Sequence, residues 1–172
     1  MKLRATILIT LSVLLTGCGY HTAGSATHIP TNVRTLSVPI FATRVQSYRT
    51  EVAFTQAVIR ELNTRTKYRV INKDDAEADA TLSGTILTQT VTPLTYDATS
   101  GQSSSYLVSV TAGVLLTAQD GRVLYRNDAV TFREQYQSTQ DLSGFIQEDS
   151  PAVNRMSRDF AKAVVSDMLE SF

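Results

Sequence analysis

Cys18 is the only cysteine of the chain, and its surroundings predict a chemical modification. Lys2 and Arg4 precede an apolar run from Ala5 to Leu15. This run falls within the roughly 7–15 residues of an export signal and is shorter than the roughly 20 of a membrane span. Small residues before Cys18 favour cleavage at that point. The cleaved chain would begin with a cysteine that offers both a thiol and an amine.

The stretch Leu15-Thr16-Gly17-Cys18 resembles a bacterial lipobox, in which the cysteine is acylated on its sulfur and its new amino group. The resemblance implies lipidation of Cys18 and attachment to a membrane through the acyl chains. Because Gly19 rather than an aspartate follows the cysteine, the sorting rule of such lipoproteins implies the outer membrane. Stable anchoring takes at least two chains, because each buried methylene contributes about 0.8 kcal/mol. The alternative is a plain secretory signal with a chance cysteine. We predict a signal peptide at residues 1–17, a lipidated flexible tether at 18–32 and a folded domain at 33–172.

The sequence offers little support for catalysis. Both histidines, His21 and His28, fall in the predicted tether, where we favour solvated linker residues over a metal pair because no carboxylate lies near them. Without a histidine in the folded domain, a Ser-His-Asp triad is excluded there. Glu134 and Glu148 stay open as carboxylates of a lipid-anchored hydrolase, although acidic surface residues are common. We predict a protein that is not an enzyme and that has no metal and no cofactor.

Charge patterning limits the classes of partner. The chain has 16 basic and 16 acidic residues and no basic stripe, so we predict no nucleic-acid binding. The acidic run at 74–79 lacks the spacing of a calcium loop and indicates a solvated turn. Arg122, Arg126 and Arg133 share one predicted hairpin, and guanidinium groups suit phosphates. They are candidate ligand-binding residues, with ordinary surface arginines as the alternative.

Apolar periodicity predicts the elements that position these residues. We predict strands at 35–41, 68–71, 80–91, 106–118 and 123–136, helices at 47–65 and 151–172, and polar loops at 93–105 and 137–149. Ser47 is the predicted cap of the first helix, and Ser150 and Pro151 begin the second. Pro39 places the first strand at a sheet edge or ends it. Gly84, inside a strand, predicts the close approach of another backbone or helix.

Two features of the 106–136 region predict a hairpin with an irregular second strand. Asp120 and Gly121 form the predicted two-residue turn, in which both positions need positive φ. The apolar phase of the returning strand changes from odd to even positions. Because a one-residue slip turns every side chain to the other face, we predict a bulge near Asn127 and Asp128.

These elements predict an α+β fold of two layers. Two helices pack on one face of a four- to five-stranded, mixed and mainly antiparallel sheet, with Leu62 and Phe160 buried between the layers. The first strand and its helix form a crossover to a parallel neighbour. The opposite sheet face carries serine, threonine and glycine and is not covered by any predicted element. It is therefore a candidate binding surface, although antiparallel sheets often have one wet face.

The order and spacing of several stretches along the chain form one pattern. They are Gly17-Cys18-Gly19-Tyr20, Leu36-Ser37-Val38-Pro39-Ile40-Phe41, Phe54 to Leu62, Ala78 to Ile86, Asp120-Gly121, Glu134-Gln135-Tyr136 and the terminal amphipathic helix. The assembled pattern resembles the LptE family of lipopolysaccharide-assembly lipoproteins. The resemblance implies a non-enzymatic plug of the LptD β-barrel that assists lipopolysaccharide assembly into the outer leaflet, with LptD and lipopolysaccharide as partners. The alternative is a free-standing lipoprotein that binds an apolar ligand or cell-wall component through its open sheet face.

Overall fold

The computed structural model describes residues 29–46, 49–96, 98, 103–137 and 142–170, with the side chains of 103, 104 and 142–150 left out. Six strands and two helices are formed within these residues. In chain order they are β1 (Thr35–Ser37), β2 (Ala42–Thr43), α1 (Thr50–Arg65), β3 (Arg69–Ile71), β4 (Ala80–Tyr96), β5 (Ser103–Ala118), β6 (Val123–Gln137) and α2 (Leu142–Glu170).

All six strands belong to one sheet in the order β3-β1-β4-β5-β6, with β2 paired to β4 beyond the end of β1. The short strands β1, β2 and β3 pair in parallel, whereas β4, β5 and β6 are antiparallel. Helix α1 connects the parallel neighbours β1 and β3, as the predicted crossover requires. The predicted α+β fold with a mixed, mainly antiparallel sheet is confirmed, and the sheet has one strand more than expected.

A cluster of aromatic rings joins both helices to the same face of the sheet. The ring of Phe160 in α2 lies 4.7 Å from that of Phe54 in α1 and 5.8 Å from that of Phe132 in β6. The Phe41 ring, between β1 and β2, lies 6.3 Å away in an edge-on arrangement. Phe160 and Leu62 are fully buried, as predicted. Burial of such side chains is the main favourable contribution to folding.

The break near Pro39 divides the predicted first strand into two. Strand β1 ends at Ser37, and β2 resumes at Ala42 along the same edge of β4. Between them, Phe41 lays its ring over Gly84, where any added Cβ would overlap the ring. The predicted close approach at Gly84 is therefore real. Its cause is a side chain rather than a backbone or helix.

The first helix begins at Thr50 rather than at residue 47, and the predicted cap Ser47 lies outside the described residues. Arg49 has a left-handed backbone (φ 56°) and makes no capping hydrogen bond through its side chain. Because the left-handed conformation cannot continue a helix, it fixes the start of α1. The Thr50 hydroxyl donates to Gln89 Oε1 at 2.8 Å and ties this start to β4.

The second helix begins nine residues earlier than predicted, at Leu142, so the predicted loop at 137–149 is wrong over most of its length. Pro151 lies inside the helix, and Ser150 is not its cap. Proline removes one backbone hydrogen bond of a helix. The apolar spacing of Leu142, Phe145 and Ile146 nevertheless continues the helical pattern upstream of Pro151. This spacing was a better guide to the start of the helix than the position of the proline.

Both ends of the predicted polar loop at 93–105 belong to strands. Strand β4 continues to Tyr96, and β5 already begins at Ser103. Pro93 pairs with Tyr106, and the hydroxyls of Thr95 and Ser105 are hydrogen bonded at 2.6 Å. Threonine and tyrosine favour strands, so polarity alone was a poor guide to a loop here.

The turn between β5 and β6 differs from the predicted type. The Gly121 N–H donates to the Ala118 carbonyl at 2.9 Å, and the Ala118 N–H donates to the Arg122 carbonyl at 2.8 Å. Gly121 has φ 85°, whereas Asp120 has no positive φ. This is a three-residue turn with a left-handed glycine at its last position. The predicted two-residue turn with two positive φ angles is wrong.

The predicted bulge in β6 is confirmed. Ala112 pairs with Val130, whereas Val114 pairs with Asn127, so two residues of β6 oppose one residue of β5 beside Asp128. The extra residue returns the apolar side chains of β6 to the helix-covered face.

The packed part of the chain includes residues before the predicted domain start at 33. Ile29, in the predicted tether, is buried in the core. The last residues of the predicted tether, 18–32, therefore share in the folded structure.

Candidate functional site on the open sheet face

The sheet has one covered face and one open face, and β5 separates them most clearly. Its covered side chains are fully or almost fully buried, from Val108 to Leu116 at every second position. The residues between them point away from the helices. Threonine and serine dominate this open face. Its hydroxyl-bearing side chains are Thr81, Ser83, Thr85, Thr88, Thr90, Thr92, Ser109, Thr111, Thr117 and Thr131.

Some of these hydroxyls are hydrogen bonded within the sheet. Thr111 and Thr131 lie opposite each other, with their Oγ1 atoms 2.9 Å apart. The Ser83 hydroxyl donates to the Leu115 carbonyl at 3.3 Å. Such a face is well hydrated, and it offers many donors and acceptors to a polar partner. It has little of the continuous apolar surface that an apolar ligand would need.

The three candidate arginines do not form one pocket. Arg122 lies at the turn, and Arg126 and Arg133 lie on the open face of β6, opposite Leu115 and Ser109. At about 3.3 Å per residue, Arg126 and Arg133 are roughly 20 Å apart along the strand. The structure therefore spreads the three guanidinium groups along one edge of the sheet.

Two of these arginines already have acidic partners nearby in sequence. Arg126 Nε lies 2.7 Å from Asp128 Oδ1, and Arg122 forms a longer pair with Asp120 at 3.7 Å. Both pairs are exposed, so each contributes little to stability. Arg133 is exposed and has no acidic partner among the described residues. It is therefore the member of the set most available to an anionic ligand.

Asp79 and Tyr125 have shifted pKa values that hydrogen bonding and burial explain. The Arg34 N–H, with the hydroxyl and N–H of Thr35, donates to Asp79 and holds its pKa below the ordinary value. Burial, reinforced by the hydrogen bond from the Tyr125 hydroxyl to Asp167 at 2.6 Å, raises the pKa of Tyr125. Both groups join neighbouring elements of the fold, and their role is structural.

The structure favours a structural role for the one candidate catalytic carboxylate that it describes. Arg155 Nε donates to Glu134 Oε1 at 2.6 Å, which links α2 to β6. The side chains of Glu148, Cys18, His21 and His28 lie outside those described. Among the described residues there is no cluster of three metal-binding side chains. Within the same residues, no helix has the length and hydropathy to span a membrane.

The far end of β4 is a surface that the sequence analysis missed. Val91, Leu94 and Tyr96 are large apolar residues with exposed side chains. The predicted strand ended at residue 91 and a polar loop was predicted from residue 93, so these side chains were not recognised as one strand surface. The alternation of threonine with larger side chains, which continues from Thr88 to Thr92, was the available signal.

The comparisons with known proteins agree with this architecture. The family model for lipopolysaccharide-assembly, LptE, matches residues 33–168. Uncharacterized lipoprotein B from Nitrosomonas europaea has a similar fold, with a TM-score of 0.55, 12% identity and coverage of 88% of this chain and 90% of that one. A putative lipoprotein from Caulobacter crescentus gives a TM-score of 0.51 and 10% identity, with coverage of 75% of this chain and 87% of that one.

The rare lipoprotein B of Shewanella oneidensis gives a TM-score of 0.50, with 14% identity and coverage of 78% of this chain and 93% of that one. At these identities the structural similarities show the fold alone. A search of curated proteins by sequence found no match. The family model covers most of the chain, including all six strands and nearly all of both helices. The chain therefore belongs to the LptE family of lipopolysaccharide-assembly proteins.

Proposed function

We propose that the protein is a non-enzymatic lipoprotein of the outer membrane that plugs the LptD β-barrel and assists lipopolysaccharide assembly into the outer leaflet. Family membership supports the pathway. The observation that carries the plug is the open, hydroxyl-rich sheet face. Lumen-facing positions of outer-membrane barrels are polar and hydrated, so a plug needs a hydrophilic surface facing the wall.

Site-specific photocrosslinking in cells tests this proposal. Probes at Thr117 and Thr131 lie on the open face, whereas a probe at Val110 is buried on the covered face and is the matched control. We expect the two open-face probes to capture LptD and the Val110 probe to capture nothing. Failure of both open-face probes, in cells where the barrel is abundant, would contradict the plug and favour a free-standing lipoprotein.

We further propose that Cys18 is the lipidated mature amino terminus. Mass spectrometry of the membrane form should find an acylated cysteine as the first residue. The Cys18→Ala variant should be uncleaved or released from the membrane. An unmodified thiol in the purified membrane form would overturn this part of the proposal without affecting the fold.

Arg133 is our preferred contact to the phosphates of lipopolysaccharide, ahead of Arg122 and Arg126. A charge-assisted hydrogen bond contributes about 1.5–3 kcal/mol, so Arg133→Ala should weaken lipopolysaccharide binding about tenfold or more. Arg60→Ala, on the exposed face of α1, is the control and should bind normally. Equal losses for both variants would indicate an unspecific charge effect.

A further inference from the structure

We propose that the outer edge of β4 from Thr88 to Leu94 binds an extended strand of the barrel partner. The two sides of β4 differ in this segment. On one side it pairs with β5 along its whole length. On the other side, pairing with β2 ends at Ile86, where the Arg44 N–H donates to the Ile86 carbonyl at 2.9 Å. Beyond that point no described strand lies against the outer side.

The sheet has a second long edge, β6, and the contrast between the two edges carries the argument. Edges that must not pair are commonly protected by charges and bulges. Strand β6 has a bulge beside Asp128 and exposed arginines at positions 126 and 133. The β4 edge from Thr88 to Leu94 has no charged residue. Its protection is limited to Pro93 and to register irregularities at the two ends of the segment, between Ile86 and Thr88 and beside Pro93, so the two edges differ mainly in charge.

The side chains of the β4 edge favour pairing with another strand. Val91 and Leu94 are each 45% exposed, and Tyr96 is 64% exposed just beyond them. An uncharged edge with exposed apolar side chains is a predicted site of strand addition. In that mode the main chain supplies the hydrogen bonds, and the apolar side chains supply contact area.

Pro93 indicates which backbone groups face the partner. Proline is tolerated in an edge strand where its nitrogen points away from the neighbouring strand. Positions two and four residues away have the same orientation, so the N–H groups of Val91 and Gln89 also point outward. Those of Thr90 and Thr92 point toward β5. The segment can therefore offer about two outward donors over the roughly 23 Å that its seven residues span.

An extended segment of a different protein fits this edge better than a second copy of the chain. In a symmetric pair, each copy would contribute a Pro93 without a donor, so the missing hydrogen bond would occur twice. A heterologous strand meets one proline only. The identity of the partner as the barrel rests on the proposed function.

Hydrogen exchange at single-residue resolution tests the pairing in the detergent-solubilised complex. Relative to the free lipoprotein, we expect exchange at Gln89 and Val91 to slow at least about tenfold. Exchange at Thr90 and Thr92 should change little, because β5 already holds their N–H groups. Such alternation is the signature of strand addition, and uniform protection would indicate simple coverage and overturn the proposal.

Matched lysine variants sharpen the test. Val91→Lys and Leu94→Lys add charge to the edge, whereas Val123→Lys places it on an exposed valine at the opposite end of the sheet. Each variant is first checked for an unchanged thermal unfolding midpoint. Because there are two edge variants, the test can still be made if one of them fails to fold. We expect either edge variant to abolish the alternating protection and Val123→Lys to preserve it. Unaltered protection in both folded edge variants would overturn the proposal.

A photocrosslinker at Leu94 separates this proposal from the proposed function. Capture of one contiguous segment of the barrel supports the strand addition. Capture of a second copy of the chain overturns it. Capture of the barrel by probes at Thr117 and Thr131, without protection at Gln89 and Val91, overturns the edge pairing and leaves the plug intact. If none of the probes at Leu94, Thr117 and Thr131 captures the barrel, both the strand addition and the plug are overturned.

Discussion

The two halves of β4 differ although they belong to one continuous strand. From Ala80 to Ile86, alternate side chains are fully buried beneath the helices, whereas from Val91 to Tyr96 every side chain is exposed. Both halves pair with β5, although register irregularities lie between Ile86 and Thr88 and between Pro93 and Tyr96, so loss of backbone pairing does not explain the difference in exposure. Coverage by the second layer, the two helices, explains the difference. A strand can thus form without burying either of its faces on the chain's own core, and the unburied half is available to a partner.

The largest expected effect follows from removing the Phe160 ring, which packs both helices against the sheet. Phe160→Ala should lower the free energy of unfolding by about 3–5 kcal/mol, because it leaves a cavity between three other aromatic rings. Leu62→Ala should cost about 2–5 kcal/mol for the same reason. Denaturant unfolding measures both. Losses under about 0.5 kcal/mol would show that the helices do not cover the sheet as described.

The second prediction concerns the covered half of β4 itself. Leu82 is fully buried, so Leu82→Ala should lower the free energy of unfolding by about 2–5 kcal/mol. Chemical denaturation checks this value. A small loss would mean that the first half of β4 is no better covered than the second, and the comparison would fail.

Gly84→Ala should destabilise the protein by about 1–3 kcal/mol through overpacking. The added methyl group would overlap the Phe41 ring, which itself packs beside Phe160. Thermal unfolding of Gly84→Ala alone and combined with Phe41→Ala tests the cause. If the alanine costs as much without the Phe41 ring as with it, the backbone rather than the ring explains the glycine.

A smaller effect is expected in acid. The pKa of Asp79 is lowered in the folded state, and the hydrogen bond from the Arg34 N–H is the largest cause. The folded carboxyl therefore binds fewer protons than the unfolded one. Its stabilisation is present above the ordinary aspartate pKa of about 3.9 and is lost as pH falls through the lowered folded pKa. Asp79→Asn should therefore be less stable than the parent at neutral pH, with a difference that shrinks below about pH 4. A constant difference across this range would contradict the mechanism.

The smallest effect is expected in the exposed half of β4. Leu94→Ala should change the free energy of unfolding by less than about 0.5 kcal/mol, because its side chain is nearly half exposed. The same substitution should weaken association with the barrel partner, measured by copurification from detergent-solubilised outer membranes. A large loss of stability with normal association would reverse the roles that we assign to the two halves.

Sequence alone predicted the alternation of β5 and the burial of Phe160 and Leu62. These follow from period-2 and period-3.6 patterns, which depend on local geometry. The bulge beside Asp128 was also predictable, because a change of apolar phase within one strand has few other solutions. Sequence misplaced the start of α2 at Pro151, because helical apolar spacing upstream competed with a local proline signal.

For the candidate site, sequence identified the residue types but not their arrangement. Arg122, Arg126 and Arg133 were recognisable as phosphate-binding residues, yet only the structure separates them along β6 and pairs two of them with aspartates. Both partners are two residues away in the chain, and the pairs form through rotamers that composition does not specify. Cys18 lies outside the described residues, so its lipidation stays a prediction of the sequence.

The sequence by itself determined which side chains face the core along most of the strands and helices that it predicted, because side-chain direction repeats with backbone geometry. It also determined the hydroxyl-rich character of the open face. Only the tertiary structure decided how far β4 extends past its cover, that β2 ends its pairing at Ile86, and that Phe41 lies over Gly84. These features depend on contacts between residues distant in the chain, whose free energies local patterns do not contain.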